Sequence, residues 1–375
     1  MRAPARRGLK LAAACLIAAC SGDGRDEADT PARAEQKVVH VYNWVDYIGR
    51  TTVADFEAKT GIRVVYDTYD SNEIVETKLL TGKAGYDVVF PTASVLSRLA
   101  RIGVFLELDR TKLPNFANLD PDILERMATY DPGNRHAMPY MWGTTGLGYN
   151  PALVKKALGT DTLDSWGAVF DPARASKLAS CGITMLDAPE DVFEAAEVYL
   201  GTAPNNEDPA ELAAAEALVT KVRPYVRAFD SSTHLNALAS GDICVALSWS
   251  GLMLQARDRG AAATRPVEIR YLIPKEGAPT WFDTAAIPAD APHPDNAHAF
   301  LNYLMEPRVI AGVSNDIRYP NGNAAALPFV DADMRDDPSI YPPMEVRSRL
   351  HVSATRSQEY SRLVNRAWMR IKTGE

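Results

Sequence analysis

Hydrophobic positions along this chain switch repeatedly between a period of two and a period near 3.6. From Val38 the run VVHVY alternates as a strand does, with Val39 and Val41 on one side and Val38, His40 and Tyr42 on the other. Thr51 to Lys59 carries a helical stripe of Val53 and Phe56, closed by Gly61. Ile62 to Tyr66 predicts a second strand. Asp70 and Glu73 read as the cap of a helix running through Val75, Leu79 and Leu80 to Gly82. Tyr86 to Phe90 is an apolar strand broken by Pro91, and Thr92-Ala93-Ser94 starts another helix. This alternation implies a parallel α/β sheet, where ligands meet the carboxyl ends of strands.

Further along, Met138 to Asn150 is apolar, aromatic and glycine-rich, and predicts a strand that leaves one domain for another. Gly182 to Leu186 predicts a strand running into Asp187-Ala188-Pro189-Glu190-Asp191 and a helix to Leu200; acids there read most simply as helix capping. Pro209 opens a helix that ends before Pro224. Val226 to Phe229 is a short strand, and Ser231-Ser232 caps a helix to Gly241. Ile243 to Trp249 and Val267 to Ile273 predict strands, and Asp295 to Met305 a helix stopped by Pro307. Helical patterns then run to Lys372.

The first residues do not fit this scheme. Arg2, Arg6, Arg7 and Lys10 precede the apolar run Leu11 to Ala19, which is too short to span a bilayer. Small residues before Cys20 predict a lipoprotein-type signal over 1–19 with Cys20 as the lipidated first residue; the alternative is a plain signal peptide cut nearby. Residues 20–36 read as a flexible polar tether. Removing the four basic residues of the leader takes the net charge from −8 to −12. An acidic chain with no basic patch excludes nucleic acid as a partner and favours cationic ligands. Of four cysteines, Cys15 and Cys20 belong to the leader and its cleavage site; Cys181 and Cys244 lie in the exported chain, where they read as a disulfide or as two buried thiols.

Familiar catalytic signatures are missing. Gly143, Gly146 and Gly148 lack nucleotide-fingerprint spacing, and there is no HExxH, GxSxG, phosphate loop or CxxC, so neither a cofactor nor a metal is expected. What recurs is an aromatic with an acid: Trp44, Asp46 and Tyr47; Trp249; Trp281 with Asp283; Tyr319, all at or near expected strand ends. Rings give electron-rich walls to an organic cation, and carboxylates supply its counter-charge.

At these residues the chain resembles the periplasmic polyamine-binding proteins of bacterial ABC importers, and among them the putrescine-binding branch. The matching segments are HVYNWVDYI, TGIRVVYD, YDSNEI, YDVVFPTAS, MPYMWGTTGLGYN, LDAPEDVF, SGDICVALSW, IPKEGA and SIYPP, spread from Val38 onward. The resemblance implies an α/β, two-lobed, hinged periplasmic-binding-protein fold of type II, with ligand in the interlobe cleft. Residues 38–143 plus 281–325 would form one lobe and 144–280 plus 326–375 the other. Ligand contacts would fall on Trp44, Asp46, Tyr47, Thr92, Ser94, Asp191, Ser231, Trp249, Trp281, Asp283 and Tyr319, and a disulfide on Cys181 and Cys244. The same likeness implies a periplasmic receptor that delivers to an ABC permease of the inner membrane; the leader implies contact with a membrane only through lipid on Cys20, and a monomer is expected.

Ser94 and Ala188 look like the putrescine branch, where spermidine binders have a tyrosine and an extra acid. Three positions depart from it: Leu252 replaces an aspartate, Asp191 a glutamate, and Trp281 a phenylalanine. These positions leave spermidine, cadaverine or agmatine as alternative ligands, and a lipid-anchored sensor as an alternative role. An exported amine-acting enzyme with Asp191 or Asp283 as base is the rival from another class.

Overall fold

The computed structural model describes residues 36–374 apart from 203, 205 and 354. The expected leader, Cys20 and all but the last residue of the expected tether lie outside the described residues. Strand β1 (Val38–Trp44) pairs in parallel with β2 (Arg63–Tyr69) and β3 (Val88–Val89). Both its faces are buried, as in a sheet covered on two sides: Val39 and Val41 enter one core, Tyr42 another. Helix Thr52–Thr60 buries Phe56 and stops at Gly61, whose φ of 69° a side chain would resist.

The thirteen-residue β4 (Ala137–Tyr149) is buried at every position. Its first part pairs antiparallel with β9 (Ala278–Ala286), its last part with β7 (Val245–Trp249) and β8 (Arg270–Leu272). Between them, β5 (Ile183–Met185) runs parallel to β6 (Val226–Phe229) and β7, and β10 (Leu350–Val352) lies along β9. The spatial order is β2-β1-β3-β9-β4-β7-β5-β6. Thus β4 carries the chain from one half of the sheet to the other, and β9 brings it back.

Separate apolar clusters fill the two halves. One gathers Val39, Phe56, Val88, Phe300 and Ile310. Another gathers Leu147, Trp166, Phe170, Val192 and Val245, covered by Trp368 of the last helix, Gln358–Thr373. Full burial of side chains such as Phe56 and Phe170 contributes about 1.5–3 kcal/mol apiece. The Cys181–Cys244 disulfide forms, with Cα atoms 5.4 Å apart, tying the approach to β5 to that of β7.

Several expectations shift. Past the boundary expected at 325/326, Ala326, Val330, Met334 and Ile340 are buried in the same cluster as Val39 and Phe56. Asn315 and Asp331 explain this, because reciprocal bonds of 2.9 and 3.0 Å hold the segment to helix Pro307–Ile317. Trp281 and Asp283 lie inside β9, not at its end; alternation puts both on one face while Phe282 enters the opposite core. Ser71, not Asp70, caps helix Asn72–Leu80, accepting from the Ile74 amide. Asp230 accepts from the Ser232 and Thr233 amides ahead of helix His234–Ser240, a role expected of Ser231-Ser232.

Candidate functional site

The carboxyl ends of β1, β3, β5, β6 and β7 converge on one cavity of about 430 Å³, within the range of small-molecule sites. Every ligand contact implied by the resemblance lines it: Trp44, Asp46 and Tyr47 after β1; Thr92 and Ser94 after β3; Asp191 after β5; Ser231 after β6; Trp249 at the end of β7; Trp281 and Asp283 from β9; and Tyr319. Leu252 lines it too. Ala188 does not: it precedes helix Pro189–Leu200, packed against the second core.

Asn43 builds the first wall. Its buried side chain accepts from the Trp44 amide at 2.8 Å and donates to the Tyr47 carbonyl at 3.0 Å, stapling the turn between them. Within that turn Asp46 sits at φ 54°, a left-handed conformation that asparagine and aspartate tolerate best. Trp44 donates from Nε1 to the Phe90 carbonyl at 2.8 Å and leans on Tyr69, ring centroids 4.7 Å apart.

Asp283 forms the floor. Its Oδ2 accepts from the Tyr47 hydroxyl at 2.8 Å, and its Oδ1 is buried without a hydrogen-bond partner. Burial pushes this carboxyl up to about 7; the Asp191 charge adds to the rise, and the Tyr47 hydroxyl opposes it. Across the cavity Asp191 Oδ1 accepts from Thr145 Oγ1 at 2.5 Å and Trp249 Nε1 at 3.0 Å. Burial raises Asp191 as well, against those two donors. Tyr319 packs edge-on against Tyr47 and Trp281, at 5.3 and 5.5 Å between centroids. The glycines explain how the rings fit. A Cβ on Gly143 would lie 2.5 Å from the Trp281 ring, and one on Gly251 2.3 Å from the Tyr319 ring. Trp249 packs against both cores and so spans the two halves of the sheet.

Sequence reasoning missed part of the lining. Asp70, Glu190 and Glu194 also face the cavity, whose lining residues include one basic side chain, Arg259. Glu194 accepts from Ser353 Oγ at 2.6 Å, lies 3.4 Å from Arg356, and is lifted to about 8 by burial, which outweighs both. Burial raises Glu190 too, with Arg98 and Arg356 opposing. The signal was present: Glu190 and Glu194 are four apart and share a helix face, but acids at a helix start read as capping. A hollow with five more acids than bases among its lining residues, walled by indoles and phenols, suits a small organic cation.

The model of the family described as bacterial extracellular solute-binding protein matches residues 51–342. The chain is 48% identical over 343 residues to the putrescine-binding periplasmic protein SpuD of Pseudomonas aeruginosa, covering 91% of this chain and 94% of that protein. It is 48% identical over 344 residues to the putrescine-binding periplasmic protein PotF of Escherichia coli, with 91% and 93% covered. Among solved structures, the Tp0655 (TpPotD) lipoprotein of Treponema pallidum superposes with a TM-score of 0.77 at 27% identity, over 89% of this chain and 99% of that one. Among the described residues, no helix is long and apolar enough to cross a membrane.

Proposed function

We propose, for a chain that belongs to the bacterial extracellular solute-binding proteins, that it captures a polyamine, putrescine foremost, and delivers it to an ABC permease. The observation that carries this reading is Asp283: a buried carboxyl with one oxygen bonded and the other bare, at the floor of an acidic, aromatic cavity. One ammonium group would pair with Asp283 and the other with Asp191, while Trp44, Trp249, Trp281 and Tyr319 enclose the methylenes. Ser94, Thr92 and Ser231 would trim the fit, and Asp46 would add charge at the mouth.

The separate clusters of the two halves support two lobes joined through β4 and β9, one of 38–143 with 281 to about 340 and the other of 144–280 with the C-terminal helix. A ligand held by Asp283 from one and Asp191 from the other favours the closed form, which a permease reads. The mature protein acts as a periplasmic monomer anchored through a lipid on Cys20, and makes or breaks no bond in its ligand. The relatives SpuD and PotF are putrescine-binding periplasmic proteins, which supports a binding role.

Calorimetry with putrescine, cadaverine, agmatine and spermidine tests the reading on the mature protein. We expect one-to-one binding, tightest for putrescine. Tighter binding of spermidine would move the assignment within the polyamines and point to Trp281 and Leu252. Absence of heat and of any melting shift with all four would reject polyamine capture.

A further inference from the structure

We propose a second site, for one divalent transition-metal ion of the zinc type, built from His40, Asp87 and His293. One ring nitrogen of each histidine and a carboxylate oxygen of Asp87 lie within 4.8 Å of one another. The site is separate from the polyamine cavity: His40 lies four residues before Trp44 on β1, about 13 Å along an extended strand.

Asp87 is a fixed ligand. It is fully buried, and its oxygens accept from the His40 amide at 2.7 Å and the His293 amide at 2.6 Å. The same Oδ2 lies 3.1 Å from His293 Nδ1. Two ligands of one tetrahedral zinc ion, each about 2.0–2.1 Å from it, stand about 3.3 Å apart. The His293–Asp87 pair therefore already has the span of one edge of such a site, with a proton where the ion would sit.

His40 supplies the third ligand. Its Nδ1 lies 3.0 Å from the Gly85 carbonyl, which can only accept. That bond places the ring proton on Nδ1 and leaves the Nε2 lone pair available, the outer-shell arrangement metal-binding histidines use. The two imidazoles meet edge to face at 5.7 Å between centroids. Both are half-buried, so a small shift of the two rings that keeps the Gly85 bond closes the site, and water completes the coordination. A purely structural Asp87 accounts for the two amide bonds; it gives no reason for a second imidazole at the same carboxylate. Two nitrogen ligands favour zinc, nickel, copper or cobalt over magnesium or calcium. The bound ion would clamp β1 to the start of helix Pro294–Leu304.

The test uses the full mature protein without a histidine tag. Zinc chloride titrated calorimetrically should bind one-to-one and raise the melting temperature, and cobalt should give a visible d–d band; magnesium should do neither. His40→Asn and His293→Asn should each weaken zinc binding by at least ~tenfold, while His136→Asn, elsewhere on the surface, leaves it unchanged. Circular dichroism without metal checks that the variants fold. No one-to-one zinc binding to the parent protein, binding that survives both His40→Asn and His293→Asn, or an equal response to magnesium would overturn the proposal.

Discussion

At the residue scale, Asp283 holds the least comfortable position in the cavity. Its buried Oδ1 has no partner, and desolvation holds the carboxyl near neutrality until a cation arrives. Asp283→Asn keeps the shape and removes the charge. An ammonium held there would then be buried without a counter-ion, a loss of about 3–5 kcal/mol. Putrescine affinity should fall by at least ~100-fold in calorimetry, while the melting temperature of the unliganded protein holds or rises. An affinity within a few-fold of the parent would remove Asp283 from the role given to it. Part of this chemistry was legible in the chain as aromatics recurring beside Asp46 and Asp283, whereas Asp191 read as a helix cap and entered only through the family resemblance. Asn43 was not legible. An asparagine in a strand gives no sign that it will staple the next turn, and only the 2.8 and 3.0 Å bonds to Trp44 and Tyr47 reveal it.

At the element scale, the cavity owes its walls to positions with no side chain. The glycines of β4 carry no nucleotide fingerprint, and the structure gives their reason: Trp281 crosses the face of Gly143 closely enough that a methyl group would overlap it. Gly143→Ala should drive that indole into the cavity. Overpacking of this kind costs about 1–3 kcal/mol, and here part of it appears as lost binding. We expect a drop of about tenfold or more in putrescine affinity, and quenched or shifted tryptophan fluorescence without ligand. Unchanged affinity and fluorescence would mean that β4 and β9 absorb the methyl group, and that the glycine does not set the wall. Strand existence and order of type could be read from the hydrophobic period, since β1, β4 and β7 all fall where alternation or apolar runs put them. Ends and partners could not. The segment after Tyr319 stays with the first core through Asn315 and Asp331, a pairing that no local pattern encodes.

At the scale of the whole molecule, buried acids gather around the cavity and the neighbouring helix, and they tie stability to pH. Burial lifts Asp283 to about 7, Glu194 to about 8 and Glu197 to about 7. Arg356 lies 3.4 Å from Glu194 and 3.9 Å from Glu197, and only partly offsets their desolvation. A carboxyl raised in the fold binds its proton more tightly there than in the unfolded chain. As pH climbs from about 4 toward 7 or 8, the unfolded chain ionises freely and the fold does not. Each such group then costs stability, on the order of 1 kcal/mol per pH unit. The unliganded protein should therefore melt at a higher temperature at pH 5 than at pH 8. Putrescine changes the balance at Asp283 alone among these three, because an ammonium beside it restores the ionised form, whereas Glu194 keeps Ser353 and Arg356 and Glu197 does not line the cavity. The melting shift produced by saturating putrescine should accordingly grow as pH rises from 5 to 8. Affinity should weaken on the order of tenfold from pH 8 to pH 6 as Asp283 takes up its proton. Glu194→Gln should keep that affinity profile, and Asp283→Asn should flatten what binding remains. A ligand-induced shift of the same size at pH 5 and pH 8 would mean that the cation does not meet a titrating carboxyl at the floor of the cavity.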